Sequence, residues 1–423
     1  MTEIILAIFF ITVLLLFLSS GVWVALSMIG VSSIGMSVPE IYDSLREGRS
    51  GIGQLEFPDI TRLKVKTGGQ IKNFDPSKHF ELKQVSRMDR FSQFALLAAK
   101  EAITNSGLEN CNEEWQENAG VILGSSIGGI ETINYSYKQV FENGHNRLLP
   151  LTIPKIMNNS ATSLISIEHH IQGPSFTVSS ACSSANHAMG IAYETIKSGK
   201  SKILITGGSE SFLSFGGIKP WESLRVLSPS KCRPFSKGRD GLVHGEGAGI
   251  FVFENLASAK KRKAEIIAEV IGFAMSSDAS DLIKPNNIGP EKALAGVLKD
   301  GRINETDVSY INAHGTGTIL NDKMESEAIN KVFGPYSKSL KVSSTKAMHG
   351  HLIGATAAIE LIACTLAVSE KVIPPTINYL GLDPNCDLDI VPNCSQELKK
   401  VDLIMKETIT VWGEIWTKCE YEI

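Results

Sequence analysis

Cys182 is the residue of this sequence with the clearest capacity for covalent chemistry. The stretch 175–187 predicts a short apolar strand, a sharp turn of small residues and the start of a helix that runs on to Lys197. The sulfur therefore lies where a strand passes into a helix, and the unpaired backbone N–H groups and the helix dipole favour a thiolate there. A buried, inert cysteine that packs as a small hydrophobe is the alternative interpretation of this segment alone.

Two histidines lie in loops that follow predicted strands in the second half of the chain. His314 belongs to the segment 311–318 and His351 to the segment 343–354, and both are surrounded by Gly, Thr and Ser. In an open α/β sheet, ligands bind at loops beyond the carboxyl ends of the strands. Either histidine alone fits a buried imidazole with satisfied hydrogen bonds equally well, but two such loops together favour a site.

One cysteine with two histidines fits carbon–carbon bond formation better than hydrolysis. A thiolate accepts an acyl group from a thioester, which gives a covalent intermediate. Two imidazole N–H groups can then hold the oxygen of the enolate that forms when a second thioester loses carbon dioxide. A cysteine protease would more usually pair one histidine with Asn or Asp. Lys346 and Glu360 are a candidate charge pair near this site, and two unrelated surface residues are the alternative.

The composition excludes several other classes of function. The net charge is −4 and no stripe of aromatic and basic residues occurs, so the sequence does not predict binding to nucleic acid. The seven cysteines have no regular spacing, which indicates a reducing compartment rather than a disulfide framework. Since neither a CxxC pair nor an HExxH motif occurs, we predict no metal. The basic run 260–263 is most simply a solvated helix face, with a docking patch for a carrier protein as the alternative.

The elements that must position these residues alternate between buried strands and helices. At 423 residues the chain exceeds the usual size of a single hydrophobic core. Strands such as 119–124 and 202–210 alternate with helical stretches, which implies parallel pairing with both sheet faces covered. The pattern starts again from Glu265, so we predict two similarly built halves, residues 22–255 and residues 256–405.

The N-terminus departs from this ordinary globular pattern. No charged residue occurs in the stretch 4–39. Residues 4–29 are long enough to cross a bilayer as a single anchor. Alternatively, residues 22–29 form the first buried strand of the globular part, and residues 1–21 are an apolar extension in front of it.

The first residues leave further interpretations open. Glu3 stands where a signal peptide carries positive charge, which argues against a cleaved signal. A disordered segment or a mis-assigned start of the reading frame explains the apolar stretch equally well. We expect a cytoplasmic protein, with association to the inner membrane through residues 1–29 as the alternative.

Six parts of the sequence carry a recognisable pattern: 180–184, 233–241, 245–249, 312–318 with Asp322 and Glu325, 344–355 and 373–378. Taken together, they resemble the motifs of the elongating type of β-ketoacyl-[acyl-carrier-protein] synthases. The resemblance implies an α/β thiolase-like fold, with two duplicated α/β halves in a five-layered αβαβα arrangement, and it implies a homodimer. Thiolases proper use a second cysteine as a base, and initiating condensing enzymes place Asn where this chain has His351, so both are disfavoured.

The resemblance implies a role for each candidate residue of the site. Cys182 is expected to accept the acyl group, and His314 and His351 are expected to act as the decarboxylation pair. Lys346 is expected to support the site through hydrogen bonds, with Glu360 near it. The expected reaction is a decarboxylative Claisen condensation of an acyl thioester with malonyl-[acyl carrier protein] to 3-oxoacyl-[acyl carrier protein], in the synthesis of fatty acids, related lipids or polyketides.

The resemblance also implies how the substrates arrive. Acyl carrier protein is the expected partner, because it carries both substrates on its phosphopantetheine, and no further cofactor is expected. Thr316 and Thr318 are expected to contact the pantetheine arm of that carrier.

The C-terminus departs from the family pattern and leaves two alternative functions open. The family normally ends in a strand and a Phe-Gly-Phe-Gly-Gly-Thr-Asn-Ala loop that supplies a backbone N–H to the oxyanion hole, whereas residues 406–423 form an atypical tail for which a frameshift is one hypothesis. A non-catalytic partner that shapes the pocket of an active paralogue is therefore a second hypothesis. The run 346–351 is also similar to nodulation-type condensing enzymes, which makes a membrane-tethered synthase a third.

Overall fold

The computed structural model of the chain describes residues 22–111, 114–281, 286–398, 403–407 and 414–418. The apolar extension at residues 1–21 and most of the C-terminal tail lie outside these residues. The described α-helices are α1 (Val38–Glu47), α2 (Leu82–Val85), α3 (Arg90–Asn105), α4 (Glu114–Asn118), α5 (Ile130–Tyr137), α6 (Thr152–Ile156), α7 (Ser160–Glu168), α8 (Ser184–Lys197), α9 (Phe215–Leu224), α10 (Leu256–Lys261), α11 (Ile288–Gly301), α12 (Ile319–Phe333), α13 (Lys346–His349) and α14 (Thr356–Glu370). The described strands are β1 (Val22–Ser32), β2 (Gly53–Gln54), β3 (Thr67–Gly68), β4 (Ala119–Gly124), β5 (Ser175–Val178), β6 (Ile203–Glu210), β7 (Gly247–Asn255), β8 (Ala268–Ala274), β9 (Val308–Asn312), β10 (Lys341–Ser343), β11 (Val372–Ile373), β12 (Asp389–Ile390), β13 (Gln396–Glu397), β14 (Leu403–Glu407) and β15 (Glu414–Lys418).

Eleven of these strands form one sheet that contains the same strand order twice. The order is β12-β10-β9-β14-β15-β8-β1-β7-β6-β4-β5. The first strand run (β1, β4, β5, β6, β7) and the second strand run (β8, β9, β10, β14, β15) are both arranged third-second-fourth-fifth-first. In each run the fifth strand is antiparallel to both neighbours, and the second strand is parallel to the third and fourth. This repeat confirms the predicted duplication of an α/β unit, while its division between residues 255 and 256 stays a prediction.

Strand β1 joins the two runs at the centre of the sheet. Residues 22–24 pair with β7 on one side and with β8 on the other, both antiparallel. The interpretation of residues 22–29 as the first strand is therefore confirmed, and these residues belong to the sheet rather than to a membrane-spanning helix. The starting residue assigned to the C-terminal tail, Lys406, likewise lies within a strand, β14.

Two helices form the central layer of the fold. Helix α8 follows β5 and helix α14 follows β10, so each comes after the third strand of its run. One core cluster unites side chains of α8 and α14 with side chains from both strand runs, such as Leu204 and Tyr310. Residues 356–368 of α14 are all buried, as expected for a helix that is apolar all round.

The outer faces of the two runs are covered by other helices. Phe91 and Phe94 of α3 pack in a cluster with strands of the first run, and Leu294 of α11 and Ile329 of α12 pack in a cluster with strands of the second. The two strand runs, which are joined through β1, thus form two sheet layers with α8 and α14 between them. The resulting order of layers, helix-sheet-helix-sheet-helix, is the predicted αβαβα arrangement. Among the described residues, the helical stretch Ile353–Glu370 is long and apolar enough to cross a membrane, but 89% of it is buried inside the protein.

Candidate active site

Cys182 lies in the loop between β5 and α8, at the amino end of the central helix. Ala181, directly before it, has a φ of 51°, a left-handed conformation that residues with a Cβ atom rarely adopt. The Ser184 hydroxyl donates to the Ala181 carbonyl oxygen at 2.6 Å and so closes this sharp turn. The side chain of Cys182 is buried. The predicted sequence of strand, turn and helix around Cys182 is therefore confirmed.

His351 contacts the sulfur directly. Its Nε2 lies 2.9 Å from Cys182 Sγ, and its Nδ1 lies 2.8 Å from Oγ1 of Thr356, the first residue of α14. The backbone N–H of His351 donates to the Val243 carbonyl at 2.7 Å, and its carbonyl accepts from Gly245 N–H at 2.9 Å. Burial, with the positive charge of Lys346 as a lesser cause, holds the pKa of His351 well below its usual value, so the ring is neutral.

His314 lies directly beyond β9, and its ring stands close to that of His351. The ring centroids are 5.4 Å apart and the planes are nearly perpendicular, at 82°. Glu325 holds the loop, because its two carboxylate oxygens accept the N–H groups of His314 and Gly315 at 2.6 and 2.8 Å. Burial, followed by the charge of Lys346, also holds the pKa of His314 well below its usual value.

The three reactive side chains converge on one small volume. Cys182 Sγ and one ring nitrogen each of His314 and His351 all lie within 4.8 Å of one another. Such spacing allows one carbonyl oxygen or carbon between them to reach all three groups. It would also accept a metal ion, and the expectation of no metal stays a prediction.

An ion-pair cluster of Lys346, Glu360 and Lys406 lies buried behind the histidines. Lys346 Nζ donates to Glu360 Oε1 at 2.5 Å and also to the backbone carbonyl of His314. Lys406 Nζ lies 2.8 Å from the other carboxylate oxygen of Glu360, and all three side chains are fully buried. The expected pairing of Lys346 with Glu360 is thus present. Burial lowers the pKa of Lys346, Glu360 opposes that shift, and the charge of Lys406 adds to it.

Thr316 and Thr318 lie together in the loop that connects His314 to α12. Their hydroxyl oxygens are 2.9 Å apart. Between them, Gly317 has a φ of 79° and donates its N–H to Asp322 at 3.2 Å. Thr316 is buried and Thr318 is half-buried, so the pair leads from the interior towards the surface. Their expected contact with a pantetheine arm stays a prediction.

Glu210, which no sequence motif indicated, connects two loops of the site. This carboxylate, at the end of β6, accepts the N–H groups of Ser126 at 2.6 Å and Gly354 at 3.2 Å. Ser126 follows β4, whereas Gly354 lies between His351 and α14. Burial raises the pKa of Glu210 to about 7. The only local signal was a glutamate at the end of a strand.

Lys406 was also missed, because a single lysine near the C-terminus carries no pattern that separates it from a surface lysine.

Apolar side chains form the wall beside the sulfur. They come from the loop after β4, from the start of α5, from the segment after β6, from α9 and from the loop before α14. A wall of this kind suits a hydrocarbon chain attached to the sulfur. The residues that cluster with Cys182 are Ile127, Ile130, Phe212, Trp221 and Ile353.

Comparisons with known proteins agree with this geometry. The profile of the beta-ketoacyl synthase N-terminal domain matches residues 24–259, and that of the C-terminal domain matches residues 267–380. The chain is 44% identical over 384 residues to nodulation protein E of Rhizobium sp. (strain N33), which covers 91% of this chain and 95% of the relative. It is 39% identical over 375 residues to 3-oxoacyl-[acyl-carrier-protein] synthase 2 of Staphylococcus aureus, which covers 87% of this chain and 93% of the relative. Among solved structures, the ishigamide ketosynthase/chain length factor superposes with a TM-score of 0.89 at 31% identity, covering 96% of this chain and 100% of the other.

Proposed function

Given that the chain belongs to the β-ketoacyl synthase family, we propose that it condenses an acyl thioester with malonyl-[acyl carrier protein] to 3-oxoacyl-[acyl carrier protein]. Membership of the family confirms the predicted acyl-transferring condensing enzyme and its thiolase-like fold. The observation that carries the proposal for this chain is the convergence of Cys182, His314 and His351 within 4.8 Å at the amino end of a central helix.

In the first half-reaction, Cys182 takes the acyl group. Its sulfur attacks the thioester carbonyl carbon, a new carbon–sulfur bond forms, and the bond to the pantetheine sulfur breaks. The proton of the Cys182 thiol ends on the departing pantetheine thiol. His351, with its proton on Nε2, 2.9 Å from Sγ, donates a hydrogen bond that stabilises the thiolate before it attacks. The apolar wall beside the sulfur receives the acyl chain.

In the second half-reaction, the two histidines stabilise an enolate. The malonyl group loses its carboxylate as carbon dioxide, and the electron pair of the broken bond becomes the enolate of the carrier-bound thioester. N–H groups of His314 and His351 donate hydrogen bonds to the enolate oxygen. The enolate carbon then attacks the acyl carbonyl on Cys182, which forms the carbon–carbon bond and releases the sulfur as a thiolate.

The depressed pKa values of the histidines serve this step. A neutral imidazole donates a hydrogen bond but is a much weaker acid than imidazolium, so it stabilises the enolate without protonating its carbon. Burial is the largest cause of the depressed pKa of both His314 and His351, and Lys346 is the next. Lys346 therefore supports the reaction by its charge as well as by its hydrogen bond to the His314 carbonyl.

A carrier protein is the proposed partner, and no bound cofactor is required. Members of the family act on substrates held on phosphopantetheine, and the name of the Staphylococcus aureus relative includes the acyl carrier protein. Thr316 and Thr318 are the proposed contacts for the pantetheine arm, because their loop runs from His314 towards the surface. We further propose a cytoplasmic location, where acyl carrier protein is available.

The exposed edge of the sheet supports a homodimer. β5 lies at the edge of the sheet, and in the described part of the chain it pairs only with β4. Phe176 on β5 is 41% exposed, and Ile167 on the adjacent helix α7 is 69% exposed. An unpaired strand edge beside large apolar side chains is a surface that a second subunit would cover. Light scattering should show a dimer for the native chain and a monomer for Phe176→Asp, while Leu224→Asp, an exposed leucine on α9, should stay dimeric.

The central experiment is a condensation assay with the purified chain. Acyl carriers of several lengths are incubated with malonyl carrier, and mass spectrometry detects both acylated Cys182 and the 3-oxoacyl product. We expect both species with the native chain and neither with Cys182→Ala. A native chain that is never acylated would instead be a non-catalytic partner of another synthase, and the proposal would fail.

The segment in front of the sheet is tested separately. If residues 1–21 anchor the enzyme, the full chain will sediment with membranes after lysis, whereas residues 22–423 will remain in the supernatant. Equal partition of both forms would remove the membrane-tethered alternative.

A further inference from the structure

His244 is a buried histidine whose ring nitrogens have no side-chain hydrogen-bond partner among the residues that the structure describes. Its side chain is 2% exposed. The ring stands edge-to-face against two aromatic rings, with centroid distances of 4.6 Å to Phe212 and 4.9 Å to Trp221. None of the sequence motifs assigned a role to this residue.

The two aromatic neighbours place His244 next to the apolar wall beside Cys182. Phe212 and Trp221 both belong to the apolar group that surrounds Cys182. The backbone of His244 is bridged to that of His351, and its carbonyl accepts the N–H of Gly69 at 2.7 Å. The backbone of His244 is therefore held beside the catalytic histidine, and its ring lies among the side chains that receive the substrate.

A buried imidazole without a side-chain partner at this position needs a physical explanation. A buried polar atom without a hydrogen bond destabilises the folded state, and an aliphatic side chain of similar size would avoid that cost. Burial lowers the pKa of His244 to about 3, and a hydrogen-bond interaction with the backbone of His351 opposes that shift. The ring is therefore neutral near neutral pH, and the nitrogen that does not face the His351 backbone is left without a partner. Contact with the rings of Phe212 and Trp221 satisfies neither nitrogen with a conventional hydrogen bond.

We propose that His244 is a specificity-determining residue that hydrogen-bonds a hydroxyl group on the acyl chain carried by Cys182. The inference rests on the proposed condensing function. A hydroxyl group both donates and accepts, so it can pair with either nitrogen of a neutral imidazole, whereas a methylene group pairs with neither. A pocket that holds an otherwise unsatisfied polar group discriminates against the substrate that lacks the matching group. The preferred acyl chain is therefore hydroxylated at the position that reaches His244.

The test compares octanoyl carrier with a set of octanoyl carriers that bear one hydroxyl group at successive carbons. The readout is kcat/KM for condensation with malonyl carrier, for the native chain and for His244→Leu. We expect at least one hydroxylated isomer to exceed octanoyl by roughly tenfold with the native chain, since one hydrogen bond of about 1.4 kcal/mol corresponds to that factor. In His244→Leu the ratio for the same isomer should fall to one or below.

The outcomes separate this inference from the function on which it rests. Condensation of every substrate with no preference for any hydroxylated isomer overturns the role of His244 alone, as does a preference that persists in His244→Leu. A native chain that condenses none of the substrates overturns the proposed function instead. If His244→Leu does not fold, His244→Gln keeps a donor and an acceptor and should retain part of the preference. His79→Leu, which changes an exposed histidine, should retain all of it.

Discussion

Cys182 and His351 occupy matching places in the two strand runs and meet between them. Each residue follows the third strand of its run, β5 or β10, and precedes a central helix, α8 or α14. Their Sγ and Nε2 atoms lie 2.9 Å apart although 169 positions separate the residues in the chain. One loop of the repeated unit thus supplies the sulfur, and its counterpart supplies the imidazole.

This placement predicts that Cys182 is the most reactive of the buried thiols. Iodoacetamide should alkylate it well before Cys232 and Cys386, because burial raises the pKa of those thiols to about 12 and about 11 and keeps them protonated. Peptide mass spectrometry over a time course measures the order of labelling. Cys394→Ser removes an exposed thiol and should change neither the rate at Cys182 nor condensation. Labelling of Cys232 or Cys386 at the same rate as Cys182 would refute an activated sulfur.

Because Ala181 has a left-handed backbone conformation, we expect the free energy of unfolding to depend steeply on the shape of the side chain at this position. Ala181→Gly removes the Cβ penalty of roughly 1–2 kcal/mol but loosens the unfolded chain, so its free energy of unfolding should stay within about 1 kcal/mol of the native value. Ala181→Val places a β-branched side chain in the same conformation and should lose more than about 2 kcal/mol. Denaturant unfolding measures both. Equal midpoints for the two variants would show that the turn has relaxed and exerts no constraint on Cys182.

Lys406, the second lysine of the buried cluster, should influence the pH dependence of the reaction rate. The charge of Lys406 contributes to the depressed pKa values of His314 and His351, so Lys406→Met should raise both. Protonation of the histidines then begins at higher pH. Because an imidazolium would protonate the enolate carbon, the acid limb of the condensation rate should move to higher pH. Stopped-flow condensation by the acylated enzyme across a pH series measures this limb. Lys341→Met, which removes a half-buried lysine of β10, serves as the control, and an acid limb that moves equally in both variants would contradict a specific effect of Lys406.

Because of Glu131, we expect a stability difference between the native chain and the Glu131→Gln variant that grows with pH. Its Oε1 accepts the Ser211 hydroxyl at 2.8 Å, and burial, followed by repulsion from Glu246 and Asp89, raises its pKa from 4.5 to about 8. Between these two pH values the folded protein keeps a proton that the unfolded chain has already lost. The free energy of unfolding therefore decreases as the pH rises from 4.5 to about 8.

Glu131→Gln keeps the shape of the side chain without the ionisation. The melting temperature of this variant relative to the native chain should therefore rise between pH 4.5 and about pH 8 and stay constant at higher pH. Calorimetry at a series of pH values measures the difference, and Glu117→Gln, at an exposed glutamate, should give a flat line. A flat line for Glu131→Gln as well would mean that the carboxyl ionises freely in the folded protein.

The parts of the site that the sequence predicted are those with a local signal. Small residues before a helix marked Cys182, and Gly, Thr and Ser beside a strand end marked His314 and His351. Glu210 and Lys406 have no such signal, because each is defined by partners far away in the chain: Ser126 for the first, and Glu360 for the second.

The structure of the N-terminal segment also could not be predicted from local sequence alone. An apolar stretch without charge fits a membrane anchor and a buried strand equally well, and only the pairing of residues 22–24 with β7 and β8 separates the two. The neighbours of a strand are a property of the whole sheet, which hydrophobicity along the chain does not encode.

Because the single carboxylate of Glu360 forms ion pairs with two lysines, we expect the three positions to change together in evolution. Loss of the carboxylate would leave two buried lysines without a counter-charge. Loss of one lysine would remove a repulsive charge from beside the other. Descendants of this gene should therefore replace these positions in concert, so that a lineage in which 406 is no longer basic should also carry altered neighbours around 360.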